Sequence, residues 1–217
     1  MAIAKGNRTT SNLNPNGNIQ TLAHTMNTGA DGLLLVVITM SNSTNFSSVT
    51  FDGVAMTQVR NQNFSGLSQR QGTFYLLNPN TGNKNIAVNF SGSQFNSTSI
   101  FAQSFVGASG IGNDGNSGAS TTPNSQSLTV SQNSLIYITG ISSNAQSFGY
   151  DIGGATVSNH FTHNTNKIVE GALSATGLSA GSQNVTTKAD FGTISNYRVE
   201  ILEAGATPPS RRRIFVV

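Results

Sequence analysis

Gly32-Leu33-Leu34-Leu35-Val36-Val37-Ile38-Thr39-Met40 is the stretch whose reading decides the fold. Its apolar run is too short to cross a bilayer, which takes about 20 residues as a helix. Apolar side chains fall on both parities, so as a strand it must be central and covered on both faces. Other runs alternate instead. In Asn85-Ile86-Ala87-Val88-Asn89-Phe90 the residues Ile86, Val88 and Phe90 share one face. Asp52-Gly53, between Val49-Thr50-Phe51 and Val54-Ala55-Met56, marks a tight hairpin, because glycine accepts the positive φ of a primed turn. Asn78-Pro79-Asn80-Thr81-Gly82 marks a second turn.

The same punctuation recurs along the chain. It predicts strands near 19–26, 32–41, 47–52, 54–62, 69–77, 84–91, 98–107, 125–131, 134–142, 155–163, 167–176, 183–191 and 195–203. No eleven-residue segment carries a helical stripe. The expected core is Leu34, Val36, Ile38, Phe74, Leu76, Ile86, Val88, Phe90, Phe101, Phe105, Ile136, Ile138, Val199 and Ile201.

Composition agrees with strands. Among 217 residues, 26 Asn, 28 Ser and 24 Thr make up about a third, while charged residues are only 9%. Amphipathic helices need more charge for their wet face. The 36% hydrophobic content with little net charge argues against disorder. Residues 1–210 carry eight basic and eight acidic groups, so the net +3 resides in Arg211, Arg212 and Arg213. A nucleic-acid groove, with cations spread among aromatics, is therefore not expected. There is no cysteine, which excludes disulfides and thiolate metal sites.

These features predict an all-β protein, an antiparallel two-sheet β-sandwich, jelly-roll-like. Residues 1–18 are expected as an N-terminal extended segment, 19–205 as a single sandwich domain and 206–217 as a C-terminal arm. The Gly/Ser/Asn-rich stretch 107–124 is expected to cross from one sheet to the other.

Three motifs imitate chemistry. Gly110-x-Gly112-x-x-Gly115 matches a dinucleotide fingerprint, but Asn116 to Pro123 cannot open the helix that would hold a pyrophosphate. Gly177-x-Ser179-x-Gly181 matches a nucleophile elbow, yet the last histidine, His163, lies upstream, where no elbow finds its base. His160 and His163 are three apart, which on a strand sends them to opposite faces and leaves a metal needing His24 or distant acids. Asp31, Asp52, Asp114 and Asp151 sit at turns or loops. Glu200 and Glu203 fall on opposite faces of the last strand, and nothing pairs Glu170 with Asp190. Catalytic residues, metals and cofactors are accordingly expected to be none.

The chain ends Ala204-Gly-Ala-Thr-Pro-Pro-Ser210, then Arg211-Arg212-Arg213-Ile214-Phe215-Val216-Val217. Pro208 and Pro209 stiffen a spacer, and the apolar end has high β propensity and is an aggregation hazard if left free. Residues 211–217 are therefore the expected assembly interface, docking by β-augmentation with the arginines at the rim.

Gly32–Ile38, Ser48–Val59, Thr73–Pro79 with Gly82, Ile86–Gly92 and Ala102–Gly107 together resemble a β-sandwich family of tailed-phage virion proteins and some bacterial surface proteins. The likeness spans about residues 30–110, and the basic-then-apolar ending resembles tails of small phage structural proteins. The family brings no catalytic residues. The resemblance implies a virion structural protein, a capsid decoration or a tail or fibre accessory, with other virion proteins and further copies of itself as partners. Met1 to Pro15 has no apolar signal core, so assembly in the host cytoplasm is expected. Neither nucleic acid nor membrane is an expected partner. The alternative is a glycan-binding module, with Tyr75, Tyr137, Tyr150 and Tyr197 as stacking groups but no tryptophan.

Overall fold

The computed structural model describes residues 2–13, 17–27, 32–41, 44–94, 98–118, 120–121, 123–142, 148–153, 155–157, 159–165, 167–174, 178–189 and 193–205. The apolar stretch beginning at Gly32 forms β3 (Gly32–Ser41), with β7 (Gln69–Leu77) on one side and β9 (Thr98–Val106) on the other, both antiparallel. β1 (Ala4–Leu13) pairs with β9, and β6 (Thr57–Phe64) pairs with β7. These five strands, in the order β1-β9-β3-β7-β6, make an inner sheet. The outer sheet runs β2 (Gly17–Met26), β8 (Gly82–Gln94), β4 (Phe46–Phe51) and β5 (Val54–Ala55).

From β10 (Ala108–Asn116) onward the arrangement is repeated. β10, β19 (Thr193–Glu203), β13 (Leu135–Ser142), β17 (Lys167–Leu173) and β16 (Asn159–Thr165) form a second inner sheet, with β11 (Ser120–Thr121) added on β19. β12 (Asn124–Val130), β18 (Gly181–Ala189), β14 (Phe148–Ile152) and β15 (Ala155–Val157) form a second outer sheet. In each half the chain crosses between its two sheets at most steps, and the first and last strands lie side by side. That is the strand order of a jelly roll. Among the described residues the only helical turn is Ser65–Leu67.

The antiparallel all-β sandwich expected from the sequence is present, and it is present twice. Four sheets stack as outer, inner, inner, outer. Leu34, Val36, Ile38, Ile86, Val88 and Phe90 fill the first sandwich, and Ile136, Ile138, Tyr150, Ile152 and Val185 the second. Leu33, Leu35, Val37, Phe101 and Phe105 of the first inner sheet meet Leu135, Tyr137, Val199 and Ile201 of the second. Both parities of β3 are therefore buried, as its sequence requires.

The expected domain bounds are corrected accordingly. Residues 4–13 belong to the first inner sheet rather than to a segment apart, and one sandwich over 19–205 gives way to two, beginning at Ala4 and Ala108. The stretch 107–124 does cross between sheets, from β9 of the first inner sheet to the facing second inner sheet and on to β12, and on the way it carries edge strand β10, whose glycines disguise it. Asp52 and Gly53 have φ of 51° and 79°, the two positive values of the expected primed turn. Every expected core residue is buried except Leu76, which is partly buried against the first core.

Phe90 is 4% exposed and its ring lies 6.2 Å from that of Phe46. Phe90→Ala should cost about 3–5 kcal/mol in denaturant unfolding, and a loss under about 1 kcal/mol would contradict its place in the core.

Candidate interaction surfaces

Gly110-x-Gly112-x-x-Gly115 lies on β10, not on a phosphate loop. A Cβ at Gly112 would collide with the Glu200 carboxylate, and one at Gly115 would sit 2.9 Å from Nη2 of Arg198. The glycines let an edge strand close over two buried charged side chains of β19. Glu200 is fully buried; its oxygens accept the backbone N–H of Ser131 at 2.5 Å and of Asn113 at 3.0 Å. Arg198 donates to Asn196 Oδ1 at 2.9 Å and to the Ser127 carbonyl at 3.3 Å. Burial, and then the nearby Arg60 charge, lower its pKa.

Ser179 is exposed ahead of β18, and its carbonyl accepts from Gln183 Nε2 at 2.8 Å, a turn contact rather than a nucleophile's setting. His160 and His163 lie on β16 and Glu170 on β17, with side chains outside the described residues. Asp190 and the expected interface Arg211, Arg212, Arg213, Ile214, Phe215, Val216 and Val217 also lie outside them. No group of three or more His, Asp or Glu able to hold a metal occurs among the described residues.

The tyrosines expected as sugar platforms are corrected by burial. Tyr137, Tyr150 and Tyr197 are 3%, 0% and 1% exposed, and only Tyr75 is half-buried. Tyr137 and Tyr197, on the second inner sheet, fill the joint core, and Tyr150, on outer strand β14, fills the second sandwich's own core.

The exposed surfaces of another kind are the outward faces of the outer sheets. In the first, cross-strand register sets Ile19 by Asn89 and Asn89 by Ser48, then Thr21 by Ala87 and Ala87 by Thr50. Ala23 faces Asn85 and Thr25 faces Asn83. None of these residues is charged, and Asn89 Nδ2 donates to Ser48 Oγ at 2.9 Å. In the second, Ser125 lies by Thr186 and Thr186 by Asp151, Ser127 by Asn184, and Thr129 by Ser182. Its Lys188 and Asp151 pair at 2.5 Å. Both faces present small polar groups on a sheet, which a partner can cover without stripping water from unpaired charge. Comparison with known proteins adds no relative: no family model, curated protein or solved structure matches the chain.

One buried titratable group was not legible as such in the sequence. His24 is 1% exposed, with Nδ1 2.9 Å from Thr9 Oγ1 and its ring edge-on to Phe51. Burial pushes its pKa down to about 4. The folded state thus resists a proton that the unfolded chain accepts near pH 6.5. His24's contribution to stability is complete above that pH and declines as pH falls from about 6.5 toward 4. His24→Gln should show a shallower fall in Tm across that window than the parent; identical slopes would contradict a buried neutral imidazole.

Proposed function

We propose that the chain is a non-enzymatic structural protein of a bacteriophage virion, decorating the capsid or associated with the tail or fibre. The observation that carries this reading is the pair of broad, mostly small-polar outer faces on a double sandwich, where the charges present stand as the ion pairs Lys84–Asp52 and Lys188–Asp151. Neutral faces let many copies pack side by side with no accumulating repulsion. The resemblance of residues 30–110 to virion β-sandwiches supports the same reading. The arm Arg211–Val217 adds strand pairing to a partner's sheet edge, with the arginines meeting carboxylates at the rim. Assembly takes place in the host cytoplasm, and the mature location is the particle.

Two variants test this reading in purified particles, with the chain quantified by mass spectrometry. Deletion of 206–217 should leave Tm nearly unchanged and sharply reduce incorporation. Ala87→Lys, which sets a charge in the middle of the first outer face, should do the same. Normal incorporation of both, or absence of the parent chain from the particles, would overturn the proposal.

A further inference from the structure

The two halves correspond residue by residue at a detail that strand order alone does not demand. In β1 the pairing with β9 slips between Lys5 and Arg8, and in β10 the pairing with β19 slips between Ile111 and Asp114. Gly6-Asn7 occupies the first irregularity and Gly112-Asn113 the second. Each glycine admits a side chain from the last strand of its half, Ser104 at Gly6 and Glu200 at Gly112. Each asparagine then reaches into the outer sheet. Asn7 Nδ2 donates to the Thr25 carbonyl at 2.9 Å, and Asn113 Nδ2 to the Thr129 carbonyl at 2.8 Å. Thr25 precedes Met26 on β2 as Thr129 precedes Val130 on β12, and Met26 and Val130 are the ladder partners of Gly82 and Gly181.

The residue after each Gly-Asn acts across the boundary between halves. Asp114 binds Arg60 of β6 at 2.5 Å, while the charge of Arg8 is felt by Tyr137 of β13. Each sandwich also has a core of its own, and the third core is built jointly by the two inner faces.

We propose that this chain is a covalently joined pseudo-dimer, in which the inner face of one jelly roll is the binding partner of the other's. The partner that fits the first inner face is a second sandwich of the same kind, supplied by the same chain. This inference does not depend on a role in virions. It leaves the outer faces as the pair of equivalent surfaces still free for other molecules.

Hydrogen exchange followed by mass spectrometry on the full chain tests it, using three mild substitutions. Val88→Ala lies in the first private core, Val185→Ala in the second and Val199→Ala in the joint one. If the halves are partner units, Val88→Ala should speed exchange about tenfold in β2, β4 and β8 while β12, β14 and β18 stay within about twofold. Val185→Ala should give the mirror image, and Val199→Ala should speed exchange on both sides of the joint face, in β3 and β9 as well as β13 and β19. Even acceleration throughout with Val88→Ala, or an effect of Val199→Ala confined to the second half, would overturn the proposal.

Discussion

The apolar contact between the two inner sheets is the constraint on which the rest of this structure depends. It buries both faces of β3 and β13, so neither strand can alternate, and both read as continuous Leu, Ile and Val with an occasional Tyr or Thr. The outer sheets carry no such load and keep one wet face each. Room for bulky outer-sheet residues is then made on the inner sheets. A Cβ at Gly72 would lie 2.5 Å from the Phe46 ring, and one at Gly140 would lie 2.8 Å from the Phe148 ring. In each half the aromatic residue at the start of an outer strand settles onto a glycine of the sheet it faces.

Polar burial concentrates where the joint core meets its edges. Gln71 accepts from Thr139 across the boundary at 3.2 Å, and both are buried, so this bond adds to register rather than to mere cohesion. Arg60 and Asp114 pair at the rim, 33% and 24% exposed, where solvent screening keeps such a link worth little. The cost of burying Glu200 is met differently, by two backbone amides that the irregular β10 and the turn after β12 aim at it. Without those amides the two buried carboxyl oxygens would lose the hydrogen bonds that satisfy them. This is why a glycine-rich strand lies over β19.

Strands with apolar periodicity were legible: β2, β3, β7, β9 and β13 fall within a residue or two of their expected ends. Those without it were not. β1 is mostly polar edge strand and β10 spends its positions on glycines that yield to Arg198 and Glu200, while β14 does alternate, with Phe148, Tyr150 and Ile152 inward, but spans only five residues. The duplication stayed hidden for a related reason. A jelly roll asks for apolar residues at alternate positions and places few demands on identity, so the halves share pattern rather than letters. Gly-Asn at residues 6–7 and 112–113 was visible as text, but its meaning comes from ladders that pair residues nearly a hundred positions apart. Of the candidate sites, the failures of the glycine and serine motifs were readable from their downstream neighbours in the chain, which supply neither a helix nor a histidine. The burial of the tyrosines was not, since it depends on the second sandwich.

A double sandwich also differs from a single one in what it offers to neighbours. Because the inner faces satisfy each other, the two outer faces point away from one another, and their matched residues, such as Asn85 with Asn184 and Thr25 with Thr129, give both the same chemistry. Contact between the first outer face of one copy and the second of another would be heterologous, and heterologous contacts generate rings or open arrays according to the rotation between copies. Contact between like faces would be isologous and would stop at two. Each outer sheet carries one ion pair at a different place, Lys84 with Asp52 in the first and Lys188 with Asp151 in the second, and this breaks the equivalence. In an isologous contact a two-fold axis sets residue i of one copy against residue j of the other, so two second faces can exchange Lys188 and Asp151 between copies, and two first faces Lys84 and Asp52, without like charges meeting.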